Sequence, residues 1–140
     1  PERKQRVQRS RQNNSSCVLK ITTAGDSILI PADIEKEAEL DLLKYFSHLL
    51  PSTVLIAPHH GSKTSSQAAF IQSVNPQLTI FTVGYRNHLK HPNQAVVERY
   101  QAIGSQMMRS DYQGAITLQF SQHGFTAKSW RETKPRYWYQ

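Results

Sequence analysis

Two short uncharged stretches, separated by a segment with helical periodicity, constrain the fold more than any other feature of the sequence. STVLIA at 52–57 and LTIFTVG at 78–84 contain no charged residue, which is typical of strands buried on both faces of a sheet. Helices are predicted at 66–74, between these strands, and at 92–104, after the second one. Helices that alternate with buried strands predict an α/β layered fold, a mixed sheet with flanking helices.

Further strands are predicted on either side of this core. CVLKITT and SILIP, joined by AGDS, predict a hairpin near the start of the chain. QMMRS, GAITLQF and GFTAKSW predict three more strands near its end. After the first hairpin a helix is predicted to open at Asp33, because Ile34, Ala38, Leu42 and Phe46 recur every four residues. The complete order is ββαβαβαβββ.

Composition divides the chain into three parts. Residues 1–14 hold five Arg or Lys and one acidic residue, which predicts a basic, flexible lead-in. Residues 15–128 carry the α/β domain, and residues 129–140 form a basic, aromatic tail. The net charge of +7 favours an anionic partner, either nucleic acid or a membrane surface. A basic surface that only keeps the chain in solution is the alternative.

The sequence excludes some kinds of site. Cys17 is its single cysteine, which rules out an internal disulfide and a cysteine-rich zinc site. No apolar run approaches the roughly 18 residues of a membrane-spanning helix. The first residue is Pro1 rather than Met, and we expect the chain to be part of a longer protein.

Polar side chains follow two of the predicted strands directly. Asp33 comes after SILIPA, and His59 and His60 come after STVLIAP. Strand ends are where α/β folds present ligands and catalytic groups, and a carboxylate with imidazoles suits Zn²⁺ or Mn²⁺. The ordinary alternatives are that Asp33 only caps a helix and that the histidine pair only makes hydrogen bonds within a loop.

Five segments extend this pattern along the chain: NNSSCVLKI, ILIPADIEKEAELDLL, VLIAPHHGSKTSS, TVGYRNHLKHPN and RSDYQGAITL. In this order they resemble the C-terminal hydrolase domain of the competence proteins that internalise DNA (the ComEC type), a branch of the metallo-β-lactamase superfamily. VLIAPHHGSKTSS is the most specific match. The resemblance covers about residues 13–120 and implies the C-terminal half of a metallo-β-lactamase-type αββα sandwich.

The resemblance also implies roles for the polar residues of these loops. Asp33 would be a bridging metal ligand and His60 a second ligand, favoured over His59 because it directly precedes the glycine. His59 and His91 would act in catalysis, although His91 could equally pack beside Pro92. The residues implied in substrate binding are Ser62, Lys63, Thr64, Ser65 and Asn87.

Two features depart from that family. It usually has glycine before the metal-binding aspartate, where this chain has Ala32, and alanine is costly where φ must be positive. The HxHxDH-type motif, which supplies most metal ligands of the superfamily, is absent, since no histidine precedes Cys17. We therefore expect the chain by itself to bind metal weakly and to show no appreciable nuclease activity. We also expect one sheet face to lie uncovered and to allow self-association.

Three functions compete for this sequence. The first is part of a metal-dependent phosphodiesterase, a nuclease that degrades one strand of DNA during uptake. It would use zinc or manganese and would belong to a channel protein of the bacterial inner membrane, on the periplasmic side. The second is a non-catalytic module of the same channel that binds single-stranded DNA, which Ala32 favours. The third is hydrolysis of a small molecule by another superfamily relative. The basic aromatic tail suits single-stranded DNA, although it could equally pack on the domain.

Overall fold

A five-stranded sheet forms the centre of the molecule. The computed structural model of the chain describes residue 8 and residues 10–133. The strands follow one another in chain order: β1 (Leu19–Thr22), β2 (Ser27–Ile30), β3 (Val54–Ile56), β4 (Leu78–Phe81) and β5 (Gln106–Arg109). β1 runs antiparallel to β2, and the three later neighbouring pairs are parallel. The mixed α/β fold predicted from the sequence is confirmed.

Helices follow the strands, and the three longest build the core on one face of the sheet. The helices are α1 (Lys36–Phe46), α2 (Ala68–Val74), α3 (Gln94–Ala102), α4 (Ser110–Gln113) and α5 (Trp130–Thr133), with 3-10 turns at Ser47–Leu49 and Pro58–Gly61. On this face Leu55 and Phe81 of the sheet pack with Phe70 of α2 and Tyr100 of α3, and all four side chains are fully buried. Burial of apolar surface, worth roughly 25 cal/mol per Å², holds these helices against the sheet.

The parallel pairing brings the ends of β2, β3 and β4 to one edge of the sheet. Ile28 of β2 lies opposite Val54 of β3, which lies opposite Leu78 of β4. Because the carboxyl ends of parallel strands meet at the same edge, the loops that follow these strands are neighbours. The first two loops are also joined by a hydrogen bond of 3.0 Å, in which the His59 N–H donates to the Ala32 carbonyl oxygen.

Helix α1 begins later than the sequence predicts. Its first residue is Lys36, and Glu35 rather than Asp33 occupies the N-cap position. The alternative in which Asp33 serves only as a helix cap is therefore wrong. Along the predicted apolar stripe, Leu42 packs against the core, whereas Phe46 at the end of the helix is 49% exposed.

A hairpin covers the centre of the second sheet face. Its strands, β6 (Ile116–Ser121) and β7 (Gly124–Ser129), pair in antiparallel register. Leu118 and Phe125 of the hairpin belong to the same apolar cluster as Val54 of the sheet, whose side chain is fully buried. The prediction that this face lies uncovered is therefore wrong for the centre of the sheet, because the last two predicted strands fold back over it.

Apolar exposure on the second face remains at the edge strand β1. Leu19 and Ile21 are 53% and 48% exposed. They pair with Ile30 and Ile28, so they lie on the face that the hairpin covers farther along the sheet. Self-association through this narrower surface stays a prediction, as does the assignment of the domain to one half of a larger αββα sandwich.

The two ends of the chain are described in part. Residues 10–13 are helical, and side chains of this turn donate two hydrogen bonds to the Glu35 carboxylate. This part of the lead-in thus contacts the domain, unlike the flexible segment predicted from composition. The rest of the lead-in and most of the tail lie outside the described residues, at 1–7, 9 and 134–140. Among the described helices, none is long and apolar enough to cross a membrane.

Replacing Leu118 by aspartate tests the cover that the hairpin provides. We expect Leu118→Asp to lower the free energy of unfolding by about 2 kcal/mol or more, because a carboxylate would face apolar side chains. Thr117→Asp is the matched control, since Thr117 is exposed and pairs with Lys128, and its effect should stay within about 0.5 kcal/mol. Urea unfolding followed by circular dichroism gives both values, and equal effects would contradict this packing.

Candidate metal centre

Asp33 and His60 face each other where β2 and β3 end. The Oδ1 atom of Asp33 lies 3.5 Å from the Nε2 atom of His60, and each side chain is 46% exposed. This distance is longer than an ordinary N–H···O hydrogen bond of roughly 2.7–3.2 Å. It is close to the edge of a tetrahedral zinc shell, about 3.4 Å for metal–ligand distances near 2.1 Å. The two atoms therefore have the separation of neighbouring ligands on one ion.

A contact with Thr82 sets the orientation of the His60 ring. The Nδ1 atom of His60 lies 3.1 Å from the hydroxyl oxygen of Thr82, the first residue after β4. When Nδ1 carries the proton and donates to this oxygen, Nε2 presents its lone pair towards Asp33. Sequence analysis did not identify Thr82, and its position directly beyond a strand end was the only available sign.

The loop that carries the two histidines has a left-handed backbone at three successive residues. The φ angles are 47° at His59, 56° at His60 and 81° at Gly61. For residues with a side chain this conformation costs roughly 1–2 kcal/mol. A Cβ atom at Gly61 would lie 2.6 Å from the Pro92 Cβ atom and 2.8 Å from the Phe81 ring. Glycine is thus required at this position by both conformation and space.

His59 and His91 lie beside the Asp33–His60 pair. The ring centroid of His59 is 6.4 Å from that of His60 and 6.1 Å from that of His91. The buried Nδ1 atom of His59 lies 3.3 Å from a Glu35 carboxylate oxygen, without the geometry of a hydrogen bond. Burial lowers the pKa of His91, and the neighbouring His59 and His60 lower it further. This shift favours the neutral form of His91, which can accept a proton or bind a metal.

The side chains of Asp33 and His60 are of the types that bind metals, but two ligands are too few for a complete site. Within residue 8 and residues 10–133, no group of three or more His, Cys, Asp or Glu side chains is arranged to hold an ion. Catalytic zinc normally has three protein ligands and a water, and Asp33 with His60 supplies two. A carboxylate and an imidazole suit zinc or manganese, but further ligands are needed to complete the shell.

The predicted substrate-binding loop divides into buried and exposed residues. Ser62 and Ser65 are buried, and the Ser65 hydroxyl donates to the Pro58 carbonyl oxygen at 2.9 Å. These two serines shape the loop. Lys63 is exposed and Thr64 is partly exposed, so their donors can reach a phosphate in solution. A contact between any of these residues and substrate stays a prediction.

The side chain of Asn87 makes hydrogen bonds within its own loop. Its Oδ1 atom accepts a hydrogen bond from the His91 N–H at 2.8 Å, and its Nδ2 atom donates to the His91 carbonyl oxygen at 3.0 Å. Both sides of the amide thus hold His91 in place. The predicted contact between Asn87 and substrate would require these hydrogen bonds to open, and it stays a prediction.

A buried carboxylate holds the far end of the histidine loop. Glu39 of α1 is fully buried and accepts hydrogen bonds from the backbone N–H groups of Ser66 and Gln67 at 2.5 and 2.8 Å. Arg99 of α3 donates to the Ser66 carbonyl oxygen at 2.9 Å. Burial raises the pKa of Glu39 to about 7, against the lowering effect of the two hydrogen bonds. This role was not predicted from the sequence, although Glu39 precedes Leu42 by three residues and so shares the inward side of α1.

Ala32 adopts the conformation that favours glycine. Its φ angle is 53°, so the concern raised by the sequence at this position is confirmed. Its side chain is exposed, and its carbonyl oxygen accepts the hydrogen bond from His59. The backbone is therefore left-handed at the residue directly before the candidate ligand Asp33.

No family model matches the chain. It is 36% identical over 126 residues to Competence protein ComA of Neisseria gonorrhoeae, a match that covers 90% of this chain and 18% of that protein. It is 38% identical over 129 residues to Uncharacterized protein YcaI of Escherichia coli, covering 91% and 17%. It is 36% identical over 109 residues to ComE operon protein 3 of Bacillus subtilis, covering 78% and 14%.

The chain is similar to a segment of the competence proteins. This agrees with the family resemblance predicted from the five sequence segments. The chain spans less than a fifth of the length of these relatives, at 14–18%. The metallo-β-lactamase assignment of the segment stays a prediction.

Replacing Ala32 by glycine tests the left-handed backbone before Asp33. We expect Ala32→Gly to be neutral or to raise the free energy of unfolding by up to about 1 kcal/mol, because relief of strain offsets the added freedom of the unfolded chain. Ala69→Gly is the control, since Ala69 is an exposed residue of α2, and it should cost up to about 1 kcal/mol. Thermal unfolding measures both variants. If Ala32→Gly and Ala69→Gly lowered the free energy of unfolding equally, the left-handed conformation at Ala32 would be contradicted.

Replacing Glu39 by glutamine tests the titration of the buried carboxylate. The pKa of Glu39 in the folded chain, about 7, lies above its ordinary value of 4.5. The folded state therefore favours the protonated acid, and its contribution to stability is lost as pH rises from about 4.5 to about 7. Relative to that of Glu39→Gln, the free energy of unfolding of the wild-type chain should fall by up to about 3 kcal/mol between pH 5 and pH 8. Urea unfolding at both pH values measures this difference, and a relative gain by the wild type would contradict it.

Proposed function

We propose that this chain forms part of a metal-dependent phosphodiesterase that acts on single-stranded DNA during DNA uptake by bacteria. The observation that carries the proposal is the 3.5 Å separation of Asp33 Oδ1 and His60 Nε2 at the shared strand edge. Paired ligands at such an edge suit an ion that activates water for attack on a phosphodiester. The DNA assignment draws on the relatives named as competence proteins.

The residues of the site would have distinct roles. Asp33 would hold zinc or manganese through its carboxylate, and His60 through Nε2. The remaining ligands would come from a segment of the longer protein that carries the HxHxDH-type motif. A bound ion would polarise the phosphoryl group and lower the pKa of a bound water. Lys63 would contact a phosphate, and neutral His91 would take up a proton. His59, whose ring lies near those of His60 and His91, would orient its neighbours.

The longer protein would be a channel of the bacterial inner membrane, with this domain on its periplasmic side. The relatives are five to seven times longer than the matched segment, as the coverage of 14–18% requires, so they have room for membrane segments and for the missing ligands. The rest of that protein is the nearest proposed partner of this domain. Single-stranded DNA is the proposed substrate, and the net charge of +7 would help to attract it.

A second candidate is a module that binds DNA without cutting it. Ala32 favours this candidate, since its φ of 53° strains the backbone beside Asp33 where the resembling family usually has glycine. Loss of an optimal ligand geometry at this point would leave the basic surface intact. Metal binding and DNA cleavage separate the two candidates.

The metal site can be tested on this chain directly. We expect Mn²⁺ to bind weakly and to broaden the NMR signals of the His60 ring selectively, because two ligands are fewer than a tight site requires. His123 lies exposed in the turn of the hairpin and serves as the control ring. Asp33→Ala should remove the selectivity, and equal broadening of both rings in the wild type would refute an ion site at Asp33 and His60.

Cleavage is measured on single-stranded DNA with and without added metal. The chain by itself should show no appreciable nuclease activity. A chain extended to include an HxHxDH-type motif should cleave when Mn²⁺ or Zn²⁺ is present, and Asp33→Ala or His60→Ala should abolish cleavage. Metal-dependent cleavage by residues 1–140 alone would show that the site is complete without further ligands. An inactive extended chain that still binds DNA would favour the binding module.

A further inference from the structure

Two tyrosines at the carboxyl edge of the sheet are highly exposed. Tyr85 is 71% exposed and Tyr112 is 66% exposed. Each has an arginine over its ring: the guanidinium carbon of Arg86 lies 5.3 Å from the centroid of Tyr85, and that of Arg109 lies 4.2 Å from the centroid of Tyr112. Large apolar rings left in solvent and held by a cation are suited to contact with a partner.

The two tyrosines follow neighbouring strands of the sheet. Tyr85 follows β4 and Tyr112 follows β5, and these strands are parallel neighbours. The Ser110 hydroxyl accepts a hydrogen bond from the Val83 N–H at 2.8 Å and donates to the Val83 carbonyl oxygen at 2.7 Å. Each tyrosine comes two residues after a member of this bridge. The two tyrosines therefore lie in neighbouring segments at the carboxyl edge of the sheet.

The loop that carries Tyr85 borders the candidate metal centre at both of its ends. At its start, Thr82 contacts the Nδ1 atom of His60 at 3.1 Å. At its end, the ring of His91 lies 6.1 Å from the ring of His59. A ligand on the loop of Tyr85 would therefore lie near the loop that carries His59 and His60.

The charge of the loop that carries Tyr85 favours an anionic ligand. From Thr82 to His91 the sequence has no carboxylate and has two cations, Arg86 and Lys90, which are both exposed. The nearby Asp111 is buried, and its two oxygens accept hydrogen bonds from Arg109 at 3.1 and 2.7 Å. Its negative charge is therefore neutralised inside the protein. The surface combines rings that can stack with cations that can face phosphates.

We propose that Tyr85 and Tyr112 form a platform on which bases of single-stranded DNA stack, with its phosphates beside Arg86 and Lys90. Stacking on tyrosine requires unpaired bases, because duplex DNA hides their faces. The choice of DNA as the nucleic acid rests on the proposed function. The platform would hold the strand beside Asp33 and His60 whether or not an ion is bound there.

The platform is tested by binding of a fluorescent oligothymidine of about 12 nucleotides, within the site sizes of single-strand binding proteins. Fluorescence anisotropy is measured in EDTA, so that no metal contributes. We expect Tyr85→Ala and Tyr112→Ala each to weaken binding by about 5- to 100-fold, the usual range for loss of one stacked base. Tyr85→Phe and Tyr112→Phe keep the ring and should bind within about 2-fold of the wild type.

Tyr45 provides a matched control. It is 58% exposed and has Lys44 over its ring at 4.8 Å, but it lies on α1 rather than at the strand ends. Tyr45→Ala should leave binding unchanged, and an equal loss from Tyr45→Ala would show that the effect is general and would overturn the platform. An abasic oligonucleotide of the same length should bind the wild type more weakly than oligothymidine and should bind Tyr85→Ala as it binds the wild type.

The outcomes separate this proposal from the proposed function. If both alanine variants bind oligothymidine as the wild type does, or if the wild type does not bind it, the platform is wrong. Tighter binding of an oligouridine of the same length would overturn the assignment to DNA. Failure of Mn²⁺ to broaden His60 would count against the metal centre alone, because the binding measurement contains no metal.

Discussion

The parallel pairing of β2 with β3 is the constraint on which the candidate centre depends. Ile28 lies opposite Val54 and Leu29 opposite Leu55, and this register brings the ends of both strands to the same level. Asp33 and His60 are 27 residues apart in the sequence, so nothing local could place them 3.5 Å apart. A shift of one residue would turn the side chains of a strand to opposite faces and would break the apolar cores on both sides of the sheet.

Much of the arrangement could be predicted because it follows from strand ends and apolar periodicity. Both rules use neighbouring residues only, and they identified the order of the strands and of α1 to α3, and the positions of Asp33 and His60 after strands. They did not identify the short helices α4 and α5. Glu39 and the covering hairpin required tertiary information. In the sequence, Glu39 is one of several acidic residues on a helix. Only the fold shows that its carboxylate accepts hydrogen bonds from the N–H groups of Ser66 and Gln67. The alternation of β6 predicts an inner face, but not which surface that face covers.

Strained backbone is concentrated in the three loops at the carboxyl edge of the sheet. Seven described residues other than glycine have positive φ, and the one outside these loops, Asn75, ends helix α2. The other six are Ala32, His59, His60, Ser66, Arg86 and Lys90. Each such residue costs of order 1–3 kcal/mol and persists only where surrounding contacts enforce it. Strain of this kind clusters at sites whose geometry matters for function. It therefore supports the placement of the candidate site at the carboxyl edge of the sheet.

The contacts around the histidine loop also affect how the candidate centre would bind an ion. His60 is oriented by Thr82 and by the packing of Gly61 against Phe81 and Pro92, so its position does not depend on a metal. Ordering of His60 would therefore accompany folding rather than metal binding, which lowers the entropic cost of the later step. The affinity for an ion would then be set by the ligands that a neighbouring segment adds. A pre-oriented His60 beside Asp33 would favour assembly with that segment over capture of an ion by this domain alone.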